Sequence, residues 1–340
     1  MIKNNTEFIK LIKMLSILKD LFNPINWIKL FKNPKKIKVL YIRLFSYPGM
    51  NFKNIKSKIL RNLYKRFLIN FLNFIAKKND NLNYFFFNTD NKINYLNFSL
   101  KEIIFKLDHN KDITASAFNA FQNYGIIIIE NIISEIEREK IIKVFNDFNK
   151  KDVLNLSNDQ KSSDVNVKLF NSDLKDFHEL LMINKKITKR IFGKEIAAQG
   201  QFLIHESINL PESIFPGDNN LHMDRYLPNI KTIYFPYEIQ ENLSPFMYAM
   251  GSHKINNYYK EFYLNNDECV FDDRNNRSKN FLIEKIKVVV KKNSLVIACT
   301  NGFHGRLPFE QQGKRSTLFM TYPNFDLIDL FNYLKINKNK

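Results

Sequence analysis

Ser294-Leu295-Val296-Ile297-Ala298-Cys299-Thr300-Asn301-Gly302-Phe303-His304 is the stretch on which the fold turns. Its first six residues form a short apolar run that reads as a buried β-strand, and the run delivers a histidine just past its end. Eleven residues after that histidine, Arg315-Ser316-Thr317-Leu318-Phe319-Met320-Thr321-Tyr322 opens a second such run. Working back toward the N-terminus, strand patterns recur at 196–208, 220–225, 230–239, 245–250 and 286–291, with turn residues between them.

The strand at 220–225 carries His222-Met223-Asp224. Strand residues two apart point to one face, so His222 and Asp224 can aim a ring nitrogen and a carboxylate oxygen at one point while Met223 faces away. His304, 82 positions on (304 minus 222), can complete a metal triad. Two histidines and a carboxylate on one side of an ion are the ligand set of non-haem Fe(II) oxygenases, because positions stay open for a cosubstrate and O2. The same set also accepts Zn2+, which favours hydrolysis. Arg315 weighs against zinc: its planar, permanently charged fork suits a remote carboxylate, as anchoring 2-oxoglutarate requires.

Upstream of the strands the chain reads as helical. Thr114 to Asn123 predicts a helix that ends at Gly125 in a left-handed cap, before the strand Ile126–Ile129. Ser134 and Glu137 have the spacing of a capping box and start a helix running to about Phe148. A polar loop containing Ser157 to Ser163 follows, then a helix from about Leu174 to Phe192 closed by Gly193. Helices first, then many strands with long-range closure, suit an α+β, mainly β architecture: a double-stranded β-helix, a jelly-roll or cupin-like barrel, buttressed by helices. Metal sites of such barrels can sit in the wider mouth, where ligand cavities are expected.

Two further blocks carry a family resemblance. Glu241-Asn242-Leu243-Ser244-Pro245-Phe246-Met247-Tyr248-Ala249-Met250-Gly251-Ser252-His253-Lys254 resembles the segment ending in Gly-Ser/Thr-His-Lys of phytanoyl-CoA dioxygenase-like proteins, and Tyr124-Gly125-Ile126-Ile127-Ile128-Ile129-Glu130-Asn131 resembles that family's opening strand. With the metal motifs the likeness covers roughly residues 113–323. It implies an Fe(II)- and 2-oxoglutarate-dependent dioxygenase in which His222, Asp224 and His304 hold iron and Arg315 binds the far carboxylate of 2-oxoglutarate. Thr317, two residues after Arg315 on the same strand face, can add a hydroxyl hydrogen bond to that carboxylate. Oxidation of 2-oxoglutarate by O2 to succinate and CO2, coupled to hydroxylation of a C–H bond, is the reaction implied. Retention of Asp224 argues against halogenation, for which related enzymes give up the carboxylate. The pattern departs at two places: Leu243-Ser244 stands where many relatives have Asn-Gly, and Arg306 where they have a small hydroxyl residue.

The 340 residues allow one large barrel domain with an extension: a basic, mostly helical segment and connector over 1–112 and an oxygenase domain over 113–340. Hydrophobic residues make up 44% of the chain, 32 of them phenylalanines, which excludes global disorder. Cys269 and Cys299 match no disulfide framework or metal spacing, so a reducing cytoplasm is the expected compartment. The net charge of +18 is concentrated: residues 1–80 hold eighteen Lys or Arg against Glu7, Asp20 and Asp80, leaving +3 for the rest.

Residues 7–23 and 54–78 read as basic amphipathic helices, and 79–112 as a connector with a short helix around Lys101 to Leu107. No stretch reaches the roughly eighteen apolar residues of a transmembrane helix. The amphipathic helices can lie on an anionic membrane surface or pack on the barrel; packing is the commoner use of such a face. Nucleic acid is a poorer partner, because arginine is scarce and no recognition motif appears. The expected substrate is a small organic or lipid-like molecule, an acyl-CoA among the choices. A non-enzymatic barrel tethered by its basic N-terminus to membranes or acidic partners is the competing reading.

Other polar residues read as structural before functional. Gln201 and His205 can reach cosubstrate if their face of the 196–208 strand looks inward. Tyr234 can reach it too, although a barrel-strand tyrosine usually packs with its hydroxyl satisfied. His253 is expected to cap a helix at 255–264, His109 and His178 to lie at the surface, and the insert Asn265–Asn280 to form a loop bearing on selectivity.

Overall fold

A computed structural model describes the chain at residues 62, 66 and 70, 98–151, 155–156, 162–168, 177–192, 195–196, 198–207, 221–222, 230–254 and 285–322, with backbone alone at 148–151, 155–156, 162–168, 192 and 199–207. All of these fall within one compact unit, Asn51–Phe325. Asp224, the helices expected at 7–23 and 255–264, and the insert 265–280 lie outside the described residues. Of the helix expected at 54–78, Asn62, Arg66 and Asn70 are helical, the last two exposed. Among the described residues no helix is long and apolar enough to cross a membrane.

A capped helix leads into the sheet. Ser99 starts a 3-10 turn, Leu100–Ile103, through a complete capping box with Glu102. Where a short helix was expected over Lys101 to Leu107, the chain instead passes from that turn into strand β1, Ile104–Phe105, which pairs in parallel with β2, Ile126–Glu130. Helix α1, Ala115–Tyr124, has Thr114 as N-cap, its hydroxyl accepting from the Ala117 amide, and stops at Gly125 with φ of 80°. A side chain at Gly125 would be strained twice, by that φ and by a Cβ only 2.3 Å from His253 Nδ1.

Helices α2, Glu135–Lys151, and α3, His178–Phe192, are tied at their N-termini. Ser134 Oγ accepts from the Glu137 amide, half of the expected box. The returning carboxylate comes from Glu179, which accepts from the amide and hydroxyl of Ser134. Glu137 reaches across instead and accepts from the amides of Glu179 and Leu180 at 2.8 Å each, capping α3. Each helix thus supplies the anion that the other's N-terminal dipole favours.

The strands form two sheets. The wide one has eight, in the order β1-β2-β9-β6-β11-β5-β4-β3, and the narrow one three, β10-β7-β8. Here β3 is Asn155–Leu156, β4 Ser162–Lys168, β5 Gln199–Ser207, β6 Ile230–Phe235, β7 Phe246–Ala249, β8 Lys285–Val288, β9 Ser294–Cys299, β10 His304–Arg306 and β11 Gly313–Thr321. β2 and β9 are apolar but for Glu130 and Ser294, which pair at one end, because both faces of the strands are buried. Of the polar loop expected to contain Ser157 to Ser163, Ser162 and Ser163 instead open β4, which pairs with β5 on one side and with β3 on the other.

One face of the wide sheet is covered by helices. Asn184 of α3 donates to the Leu180 carbonyl and to Met320 Sδ and accepts from the hydroxyls of Thr232 and Tyr322. Arg138 of α2 donates to the Pro236 carbonyl at 2.8 Å. The helix side of β11 therefore carries Ser316, Leu318 and Met320, and Arg315 and Thr317 occupy the side turned away from α3. In the narrow sheet β8 alternates exposed Lys285 and Lys287 with buried Ile286 and Val288, so one face meets solvent and one the interior. From that interior face Tyr248 donates its hydroxyl to the Cys299 carbonyl at the end of β9, joining the two sheets.

Candidate metal centre

His304 opens β10, where its register partner is Tyr248 of β7. On its other side it meets His222 in an antiparallel bridge: the His222 amide donates to the His304 carbonyl at 2.7 Å, and the His304 amide returns a bond of 2.9 Å. Directly opposed residues of an antiparallel pair share a face, and the two imidazole centroids stand 4.5 Å apart. His304 is buried and His222 half-buried.

The tautomer of His304 follows from its neighbour. Nδ1 lies 2.9 Å from the Gly302 carbonyl, an acceptor only, so Nδ1 carries the proton and the ring's lone pair is on Nε2. That arrangement is what a metal-binding histidine needs, with one nitrogen oriented by the backbone and the other basic. Two imidazoles so placed fit a divalent transition metal. Among the described residues no group of three His, Cys, Asp or Glu side chains converges; the third ligand read from the sequence, Asp224, lies outside them.

Arg315 is 2% exposed, with its guanidinium carbon 5.5 Å from the centre of the Phe235 ring. An aromatic face stabilises a desolvated cation and holds its plane. Thr317 is fully buried two residues along the same face. In the register, His205 of β5 stands opposite Arg315, Leu203 opposite Thr317 and Gln201 opposite Phe319. Tyr234 takes no part in this face. It pairs with Leu318, on the helix side, and its hydroxyl donates to Asn293 Oδ1 at 3.2 Å. Burial pushes its phenol well above the ordinary range.

The two departures from the family pattern meet. Arg306, two residues past His304 on the same strand face, is buried, donates from Nη1 to Ser244 Oγ at 2.9 Å and stacks 6.0 Å from the Phe309 ring. Ser244 has a φ of 55°, the left-handed region that glycine occupies without strain, and its hydroxyl donates to the Leu307 carbonyl at 2.6 Å. Sequence alone marked both positions as unusual; their contact spans 62 positions and has no local signature.

His253 is fully buried, with Nε2 3.1 Å from the Gln122 carbonyl, and the helix at 255–264 that it was expected to cap lies outside the described residues. His109 and His178 are exposed, as expected. Lys254, beside it in sequence, is drawn down to about 8 by burial, a shift that neighbouring Cys299 opposes. The Cys299 thiol is raised by its own burial.

No protein-family model matches the chain, and no curated protein sequence does. Among solved structures, the carbocyclase SnoK from nogalamycin biosynthesis, described as non-haem and α-ketoglutarate dependent, is 14% identical over 64% of this chain and 86% of its own, with a TM-score of 0.47. HygX from Streptomyces hygroscopicus with nickel and 2-oxoglutarate bound is 16% identical over 63% of this chain and 88% of its own, at 0.44. AviO1 from Streptomyces viridochromogenes Tue57 is 12% identical over 62% and 96%, at 0.43.

Proposed function

We propose that the chain is an Fe(II)- and 2-oxoglutarate-dependent oxygenase built on a double-stranded β-helix, in the manner of the phytanoyl-CoA dioxygenase-like proteins. The observation that carries the reading is the paired His222 and His304, with the Nδ1 proton of His304 committed to a backbone carbonyl. Asp224 is the third ligand in this reading, two residues from His222. The neighbouring solved structures include enzymes described with the same cosubstrate or with a bound divalent metal, which agrees with it.

Each side chain then has a task. The two imidazoles and the Asp224 carboxylate would hold the ion, supplying two neutral nitrogen donors and one negative oxygen donor. Arg315 takes the distal carboxylate of 2-oxoglutarate on its fork, and Thr317 donates a hydroxyl to the same group. Their deep burial keeps water from competing for those bonds. Iron bound at this site supplies O2-dependent oxidation of a substrate C–H bond, with succinate and CO2 released. The substrate is read as a small organic or lipid-like molecule, and the basic segment over 1–78 as its source of any membrane contact.

Succinate release from 2-oxoglutarate tests the class. Wild type should form succinate only with Fe(II) and O2, and His222→Ala should form none. Turnover that prefers Zn2+ and yields no succinate would transfer the site to hydrolysis.

A further inference from the structure

The peptide group between Gly302 and Phe303 has two ends, and both are used. Its carbonyl accepts the Nδ1 proton of His304 at 2.9 Å. Its N–H, the amide of Phe303, donates to Ser252 Oγ at 2.7 Å. Ser252 is buried, and its own hydroxyl proton goes to the Ala249 carbonyl at 2.5 Å, which turns a lone pair toward Phe303. One continuous line of hydrogen bonds therefore runs from the Ala249 carbonyl through Ser252 and a single peptide plane to the imidazole.

The rest of the turn is clamped to the same segment. The Ala249 amide donates to the Phe303 carbonyl at 2.9 Å, the Gly302 amide to Cys299 at 3.0 Å, and Asn301 Nδ2 to the His253 carbonyl at 2.9 Å. Gly302 fits because nothing projects from it: a Cβ there would stand 2.4 Å from the Tyr248 hydroxyl and 2.8 Å from Ser252 Oγ. The plane that accepts the histidine proton is consequently held by residues 248–253 and by Cys299 at the start of its own turn.

We infer that Ser252 is a positioning residue for the metal centre, setting the tautomer and ring orientation of His304 through the Gly302–Phe303 peptide. A peptide whose N–H is already bonded is the better acceptor at its carbonyl, because bonds in a chain polarise one another. Partners one step beyond the ligands fix a ring's tautomer and tune its basicity, and their loss lowers metal affinity roughly 10- to 100-fold. The inference rests on the proposed metal-binding role of His304, though its hydrogen-bond half stands without a metal.

The test uses the full chain and Co2+ as the probe. Ser252→Ala should bind Co2+ about 10- to 100-fold more weakly than wild type and alter the visible Co2+ absorption bands. Ser252→Thr, which keeps the hydroxyl, should restore both. A Ser252→Ala protein that melts lower but holds Co2+ with unchanged affinity and spectrum would reduce Ser252 to a structural role and overturn the inference. In case the alanine variant does not fold, the ring nitrogen shifts of His304 in metal-free wild type decide: a proton on Nδ1 is expected, and one on Nε2 would overturn it. Wild type that binds no Co2+ while His304 keeps its Nδ1 proton would sink the proposed oxygenase and, with it, the positioning of a metal ligand.

Discussion

His222 and His304 exchange both of their backbone hydrogen bonds, so two imidazoles that the sequence separates by 82 positions (304 minus 222) are fixed as directly opposed neighbours. Replacing either by alanine removes a nitrogen donor while sparing the backbone bridge. Both variants should lose Co2+ or Fe(II) binding by roughly 100-fold or more, beyond what partners outside the ligand shell cost, with little change in thermal melting of the metal-free protein. Calorimetric titration checks this. Retained affinity in His304→Ala would remove the centre from this pair.

Arg315 should be sensitive to shape rather than charge alone. Arg315→Lys keeps the positive charge but forfeits the planar fork held against Phe235, 5.5 Å away. Loss of one hydrogen bond between charged groups weakens binding by about 2 kcal/mol, roughly thirtyfold in the dissociation constant of 2-oxoglutarate. A 2-oxo acid without the second carboxylate should bind both proteins alike. Equal weakening for both acids would show that the substitution disturbs the sheet instead of the anchor.

How far the sequence carried the fold depended on how local each element's cause is. Helix α1 was legible at both ends because Thr114 and Gly125 act within a few residues of themselves, and β2 and β9 because a strand buried on both faces shows as a nearly continuous apolar run. β4 was not, since Ser162–Lys168 has a polar sequence and becomes a strand through its register with β5. β10 has only three residues and no pattern of its own; its pairing with β7 makes it a strand. The same divide runs through the site. Residue type and spacing singled out His222, His304 and Arg315, but the Gly302 carbonyl that fixes the His304 proton and the contact between Arg306 and Ser244 depend on segments far apart in the chain.

The crossed caps of α2 and α3 give acid stability a defined source. Burial alone would raise the carboxyl of Glu179, but bonds from the Ser134 hydroxyl and amide, aided by Lys111 at 3.2 Å, lower it below the usual range. A carboxylate depressed in the folded state stabilises above its unfolded pKa, near 4.5, and that contribution fades as pH falls through the lower folded value. Glu179→Gln should therefore lower the melting temperature at pH 7 and draw level with wild type as the pH falls through the depressed folded value. Glu137→Ala, which uncaps α3, should cost about 1 kcal/mol. A deficit in Glu179→Gln that stays constant from pH 7 to pH 3 would place the effect in packing.

Ser244 and Arg306 should behave as one unit. Serine at a φ of 55° bears a strain of about 1 kcal/mol that Ser244→Gly relieves, while the same change removes the hydroxyl that receives Arg306 Nη1 at 2.9 Å. A hydrogen bond to a charged donor contributes about 1.5–3 kcal/mol, so in the presence of Arg306 the loss outweighs the relief. Once Arg306→Ser has removed the guanidinium, only the bond from Ser244 to the Leu307 carbonyl opposes the gain from glycine, and the two nearly cancel. Denaturant unfolding of the four proteins should thus give a coupling of about 1.5–3 kcal/mol, with Ser244→Gly costly only when Arg306 is present. Additivity within about 0.5 kcal/mol would mean that the arginine is held by other groups and that the serine stands at its turn for reasons of its own.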